Sequence, residues 1–337
     1  MRPNLRSLLL NIGKVALALG LILWMTNSGR LNFKSLDIFW HSPEVLLWGL
    51  IHFFGCTLLL GSCRWHLLLT LQNIHPSFRT TATVTSIGLF FNAAMPGAVG
   101  GDVIKSFYMI RDQRSSSKTS IIAAVFADRL LGMTGLFTVS SAAIFLSAEK
   151  INSFNNLGPL ITFTFAGGFL LISALLLSLY APEIWLSALK KRLQKKKHKP
   201  AEIATKLMHT ADLFRKSPGT ILICWTISII IQLIVIVYYA HITQFITQQD
   251  VSYSMLGAII PLATITTTLP ISPAGLGIGH VAFQTLFHYI GIQQGADIFN
   301  IQIIGFLALS LSGVVPYLSR RQTNSTSLVN MEQETCL

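Results

Sequence analysis

Charge is what this chain has least of. Asp, Glu, Lys and Arg make up 11% of 337 residues, where soluble domains carry about a quarter. Such scarcity excludes an ordinary water-exposed domain. A helix needs about 20 apolar residues to cross a bilayer, and Leu8–Thr26, Val45–Cys63, Ile121–Ala148, Leu160–Tyr180, Ile221–Ile242 and Ile298–Leu318 each form such a stretch. Acid is scarcer than base, 13 Asp and Glu against 25 Lys and Arg, for a net charge of +12. The basic excess lies between the apolar stretches, which marks topology and attraction to anionic lipid and argues against nucleic acid as a partner. Cysteine is also sparse: Cys56, Cys63, Cys224 and Cys336 show no CxxC spacing, and three lie in apolar segments, where packing is their expected role. His52, His66 and His288 have no clustered ligand spacing, so no metal site is expected. Neither a Ser-His-Asp set nor paired carboxylates nor a nucleophile elbow is present. The expectation is a protein that is not an enzyme and uses no cofactor.

Two apolar stretches are interrupted. In Thr81–Ile110 the run FNAAMPGAVGGDVIK places Pro96, Gly97, Gly100 and Gly101 before Asp102 and Lys105. Proline removes a helical hydrogen bond and glycine loosens the backbone, so the helix breaks there. The second stretch, Tyr253–Ile290, contains TTTLPISPAGLGIGH with Pro270, Pro273, Gly275, Gly277 and Gly279. Broken backbone at membrane depth is tolerated only against protein or a water-filled cavity, which makes each interruption a candidate site.

Charge bias then sets a topology. With Arg2 and Arg6 cytoplasmic, a full crossing by Thr81–Ile110 would put Arg111, Arg114 and Lys118 outside. A re-entrant hairpin removes that conflict, and a second hairpin at Tyr253–Ile290 brings Arg320 and Arg321 back inside. The expected fold is an all-α integral membrane protein of six full spans and two broken re-entrant helical hairpins. Span, span, hairpin, span recurs with opposite orientation, giving an inverted repeat of halves 1–150 and 158–320 within one polytopic domain, 1–320. Residues 182–218 form a basic cytoplasmic loop and 323–337 a polar C-terminal tail. Leu8–Met25 lacks an Ala-x-Ala cleavage site, so it is expected as a retained first span.

The residues with chemistry to offer cluster at the interruptions. Asp102 and Lys105 share a helical face and can pair. The exposed amides at Gly100 and Gly101 favour an anion. This face either grips a lipid phosphate or is an N-cap acid beside a snorkelling lysine. Asp128 and Arg129 lie inside a span, where a charge costs about 2.5 to 3.5 kcal/mol. Being adjacent, they point to different partners: Arg129 to a phosphate or the other hairpin, Asp128 to Lys105 or an amide, or both to a structural ion pair. Ser272 and the amides freed near Gly275 and Gly277 would face the first patch. His280 is a proton sensor, a headgroup ligand or a packing residue.

These interruptions resemble the transmembrane flippase-like family related to the lysylphosphatidylglycerol synthetase membrane domain. The resemblance rests on the Asn92, Pro96, Gly97, Gly100, Gly101, Asp102 run, on Asp128, Arg129, Leu130 and Gly132, on the Arg64, Trp65 pair, and on Ser272, Pro273, Gly275, Leu276 and Gly277. It implies a bacterial inner-membrane protein, both termini cytoplasmic, that moves or binds a phospholipid or other lipid-linked headgroup. Three positions depart from the family pattern: Lys105 for arginine, Asp128 for glutamate, and His280 for an acid. The expected headgroup-binding set is Asn92, Gly100, Gly101, Asp102, Lys105, Asp128, Arg129, Ser272, Gly275, Gly277 and His280. The expected function is a lipid flippase or transporter, with a non-transporting lipid-binding subunit of an envelope glycolipid pathway as the alternative. Further copies of the chain or envelope-biosynthesis proteins are its conceivable partners.

Overall fold

The computed structural model describes residues 38, 41–95, 99–113, 118–148, 158–180, 215, 217–268 and 274–319. These residues are helix and turn throughout, with no strand among them. Lipid offers the backbone no hydrogen-bond partner, and helices satisfy their own. Five described helices are long and apolar enough to cross a membrane. They match five of the six expected spans; Leu8–Thr26, most of the basic loop and the polar tail lie outside the described residues.

Helix α1, Pro43–Leu71, starts with Pro43 after Ser42, whose hydroxyl accepts from the Val45 amide at 3.4 Å. Its middle, Ile51–Leu60, is wound as a π-helix, and Thr57 donates to the His52 carbonyl at 3.1 Å. The helix breaks at the first interruption as expected, and its two arms, α2, Phe78–Ala94, and α3, Val99–Asp112, pack on one another as a hairpin. They meet through glycine. A Cβ on Gly101 would strike the Gly88 carbonyl and the Asn92 side chain, and one on Gly88 would lie 3.0 Å from the Gly101 carbonyl. Apolar burial gains little when the alternative surroundings are lipid, so helices associate through such close contact and through polar bonds.

Helices α4, Lys118–Leu146, and α5, Gly158–Tyr180, pack together, and α5 leaves most of its apolar surface on the outside. Helix α6, Pro218–Thr247, lies antiparallel to α1, since Trp48 meets His241, His52 meets Tyr238 and Arg64 meets Ser228. The second interruption is again two arms, α7, Tyr253–Thr268, and α8, Ile278–Tyr289, with residues 269–273 outside the description. Ala274, Gly275 and Gly277 have φ of 51°, 72° and 82°, a region glycine enters without strain. Helix α9, Gly295–Ser319, closes the described chain.

The order span, hairpin, span thus occurs twice, as α1, α2–α3, α4 and as α6, α7–α8, α9. The first arm of each hairpin packs against the span that closes the other group: α2 on α9 and α7 on α4.

Candidate functional site

Charges that the sequence scatters over three segments converge here. Asp128 lies ten residues into the 29-residue helix α4, about 15 Å along its axis. Its Oδ1 accepts from Arg64 Nε at 2.7 Å, and its Oδ2 is 3.7 Å from Lys105 Nζ. Asp102, in the first turn of α3, accepts from Arg129 Nε at 2.6 Å and stands 4.0 Å from Lys105. Lys105 Nζ also sits 4.1 Å above the ring of the fully buried Trp65, a cation–π contact. Arg64 donates through Nη1 to Ser228 Oγ at 2.8 Å, tying the cluster to α6.

The five side chains carry one more positive than negative charge. Their exposure rises from 9% at Lys105 and 12% at Arg64 and Asp128 to 21% at Asp102 and 36% at Arg129. Arg129 is therefore the guanidinium most open to a ligand, and Lys105 reinforces the field from below. They line a cavity of about 410 Å³ between the two hairpins, completed by Asn92, Gln232, Gln302, Thr264, Thr267 and Thr268. A second cavity of about 270 Å³ adjoins it and shares Asn92, Arg129, Thr267, Thr268 and Gln302. A concave, partly charged cavity of this size among apolar helices is a candidate binding site.

The expected site residues fall into two groups. Asn92, Gly101, Asp102, Lys105, Asp128 and Arg129 all line the larger cavity. Partners differ from expectation in detail: Arg129 pairs with Asp102 of the first hairpin, and Asp128 pairs with Arg64 as well as Lys105. Gly101 does not present its amide to a ligand, because Asn92 Oδ1 accepts that N–H at 2.6 Å. Gly100 serves packing, with the Met95 side chain where a Cβ would go.

On the second hairpin the described expected residues, Gly275, Gly277 and His280, line neither of the two cavities. Gly275 and Gly277 shape the turn, with the Thr267 side chain against Gly275. His280 Nδ1 accepts the Gly277 amide at 3.3 Å, its Nε2 meets Asn300 Oδ1 at 2.9 Å, and its ring stands edge-on to Phe299. It caps its own helix and packs. Ser272 lies outside the described residues. The second hairpin faces the cavity instead through Thr264, Thr267 and Thr268, whose hydroxyls donate to carbonyls three residues back. Arg64, Gln232, Gln302 and these threonines were not in the expected set. Their signal in sequence was polar side chains within apolar helices, at Gln232 and Gln302, and a threonine run before Pro270.

Long apolar helices around a buried charge cluster define a multi-pass membrane protein with an internal polar cavity. The family model for the lysylphosphatidylglycerol synthase TM region matches residues 11–313. The chain belongs to that family. It is also similar to a UPF0104 membrane protein of Methanothermobacter thermautotrophicus, 24% identical over 280 residues that cover 77% of this chain and 81% of the relative. A UPF0104 membrane protein of Pyrococcus horikoshii is 33% identical over 76 residues, covering 22% of this chain and 23% of that one. No solved structure matches.

Proposed function

We propose that the chain carries a phospholipid or lipid-linked headgroup through the cytoplasmic membrane, holding its phosphate in the cavity between the two hairpins. The observation that carries this reading is the surplus cation of the Arg64, Lys105, Asp102, Asp128 and Arg129 cluster at the wall of that cavity. A phosphate at Arg129 would neutralise the surplus with charge-assisted bonds. Asp102 holds the guanidinium in place until the anion competes for it, while the acyl chains stay in lipid.

The repeated order of span, hairpin and span, with α2 on α9 and α7 on α4, supports an inverted repeat whose two groups move against one another around the cavity. The basic residues of 182–218 support cytoplasmic placement of that loop and of both termini. Single cysteines at Ser115 and Asn155 are expected to react from opposite sides of the membrane.

The functional test is movement of a fluorescent phosphatidylglycerol between leaflets of liposomes containing the purified protein. Acceleration that is lost in the Lys105→Ala, Arg129→Ala double variant supports carriage. Binding without acceleration, across anionic and zwitterionic lipids, supports the non-transporting subunit instead.

A further inference from the structure

The two adjoining cavities are lined by different chemistry. Both carboxylates, Asp102 and Asp128, lie in the larger one, and neither lines the smaller. Among the described residues the smaller cavity, about 270 Å³, has one charged side chain, Arg129, beside the neutral groups Asn92, Thr267 and Thr268 and the rings of Phe299 and Phe306. Arg129 lines both cavities, so a phosphate held there has the smaller cavity next to it. The part of a headgroup beyond the phosphate meets that lining.

The neutral groups have defined hydrogen-bonding roles to offer. Thr264, Thr267 and Thr268 share one face of α7, at helical spacing. Their hydroxyl protons go to the carbonyls of Pro261, Thr264 and Ile265 at 2.8, 2.7 and 2.7 Å. A hydroxyl that has donated keeps lone pairs, so what these threonines can offer a ligand is acceptance. Asn92 is the converse: its Oδ1 already accepts the Gly101 amide at 2.6 Å, and its NH₂ is the group left to donate. A matching ligand brings both donors and acceptors, as a hydroxyl does, on a carbon skeleton that packs against Phe299 and Phe306.

Charge sets the other condition. Asp128 is shared by Arg64 and Lys105, and Asp102 by Arg129 and Lys105. An ammonium entering either cavity meets, among the described residues, no carboxylate that is not already paired, and it stands beside a cluster with a surplus positive charge. Like charges at such range repel more strongly here than in water. We propose, building on the carrier reading, that the smaller cavity is a headgroup subsite for an uncharged polyhydroxyl group, such as glycerol, inositol or a sugar, linked to the phosphate at Arg129. The same lining excludes headgroups that end in an ammonium. Specificity then comes both from a fit to the right group and from an unpaired charge against the wrong one.

Displacement of fluorescent phosphatidylglycerol from the detergent-solubilised protein, by unlabelled lipids with matched acyl chains, tests the subsite. Phosphatidylethanol has the same charge as phosphatidylglycerol and phosphatidylinositol but no headgroup hydroxyl. The two polyol lipids are expected to compete at about tenfold lower concentration than phosphatidylethanol. Phosphatidylethanolamine, which adds an ammonium to phosphatidylethanol, is expected to compete less well still. Thr267→Val combined with Thr268→Val should bring the polyol lipids down to the level of phosphatidylethanol. Phosphatidylethanol itself should compete as before, which reports a folded site. Phosphatidylethanol or phosphatidylethanolamine matching phosphatidylglycerol on wild type would overturn the subsite, as would a polyol preference that survives in the double variant. Free glycerol phosphate competing as well as the whole lipid keeps the subsite and assigns it to a soluble ligand. Carriage is read separately, from leaflet movement in liposomes: the expected order without movement keeps the subsite and overturns carriage, and movement without that order does the reverse. No saturable binding of the label overturns both.

Discussion

The two broken hairpins share a design and differ in what they bring to the cavity. Each has two helical arms separated at a proline- and glycine-rich run, and each lays its first arm on a span of the other group. The first hairpin supplies charge, Asp102 and Lys105, neutralised from outside itself by Arg129 and Asp128 of α4. The second supplies hydroxyls already bonded to their own helix, and His280 is spent on capping. The polar cavity therefore has one wall that carries charge and another that offers only neutral hydroxyls.

The largest effect that would break this contrast is expected at Asp128. Removing it leaves Arg64 and Lys105 buried without their shared acid, and losing one member of a buried ion pair costs about 3–5 kcal/mol. Thermal unfolding of Asp128→Ala in mild detergent should show a large fall in melting temperature, and an unchanged melt would mean that the cluster does not hold the first wall together. Next come the glycines. Gly101→Ala forces a methyl group into the Gly88 carbonyl, an overpacking cost of about 1–3 kcal/mol, while Gly277→Ala has open space and only its left-handed backbone to strain, about 1–2 kcal/mol. Melting curves should therefore place Gly101→Ala below Gly277→Ala, and the reverse order would move the tighter constraint to the second hairpin.

Binding sharpens the comparison further. Arg129→Ala should weaken phosphatidylglycerol binding about ten- to hundredfold, the equivalent of a charge-assisted bond worth about 1.5–3 kcal/mol. His280→Ala should leave binding unchanged while lowering stability, because its ring caps α8 and packs on Phe299. Titrating detergent-solubilised protein with labelled lipid checks both. The smallest effect belongs to Thr268→Val, about 1 kcal/mol or less in binding, since its hydroxyl already donates to the Ile265 carbonyl at 2.7 Å.

What the sequence revealed follows the same divide. Spans were legible because about 20 apolar residues have one use in a charge-poor chain, and the two breaks because proline and glycine cluster inside apolar stretches at Pro96–Gly101 and Pro270–Gly279. Asp102, Lys105, Asp128 and Arg129 stood out because charge inside a span demands a reason. Arg64 was concealed by its place near the end of a span, where a basic residue already has a topological meaning. Thr264, Thr267, Thr268 and Gln302 were obscured because neutral polar side chains satisfy themselves locally in membrane helices and leave little pattern. His280 misled for the opposite reason: spacing cannot distinguish a histidine that caps its helix from one that faces a ligand.

The seating of Gly88 on Gly101 bears on how the molecule is assembled. Helices insert first and associate afterwards, and this association gains almost nothing from hydrophobicity. With the two arms held apart, Asp102 and Lys105 on α3 are expected to sit farther from Arg129 and Asp128 on α4, and each unpaired charge in lipid carries its own penalty. Steric fit at a pair of glycines thus gates electrostatic neutralisation three helices wide. One surplus carbon at that crossing would appear as a defect of charge, with the chain retained unassembled and exposed to membrane proteases, even though no charged residue had been altered.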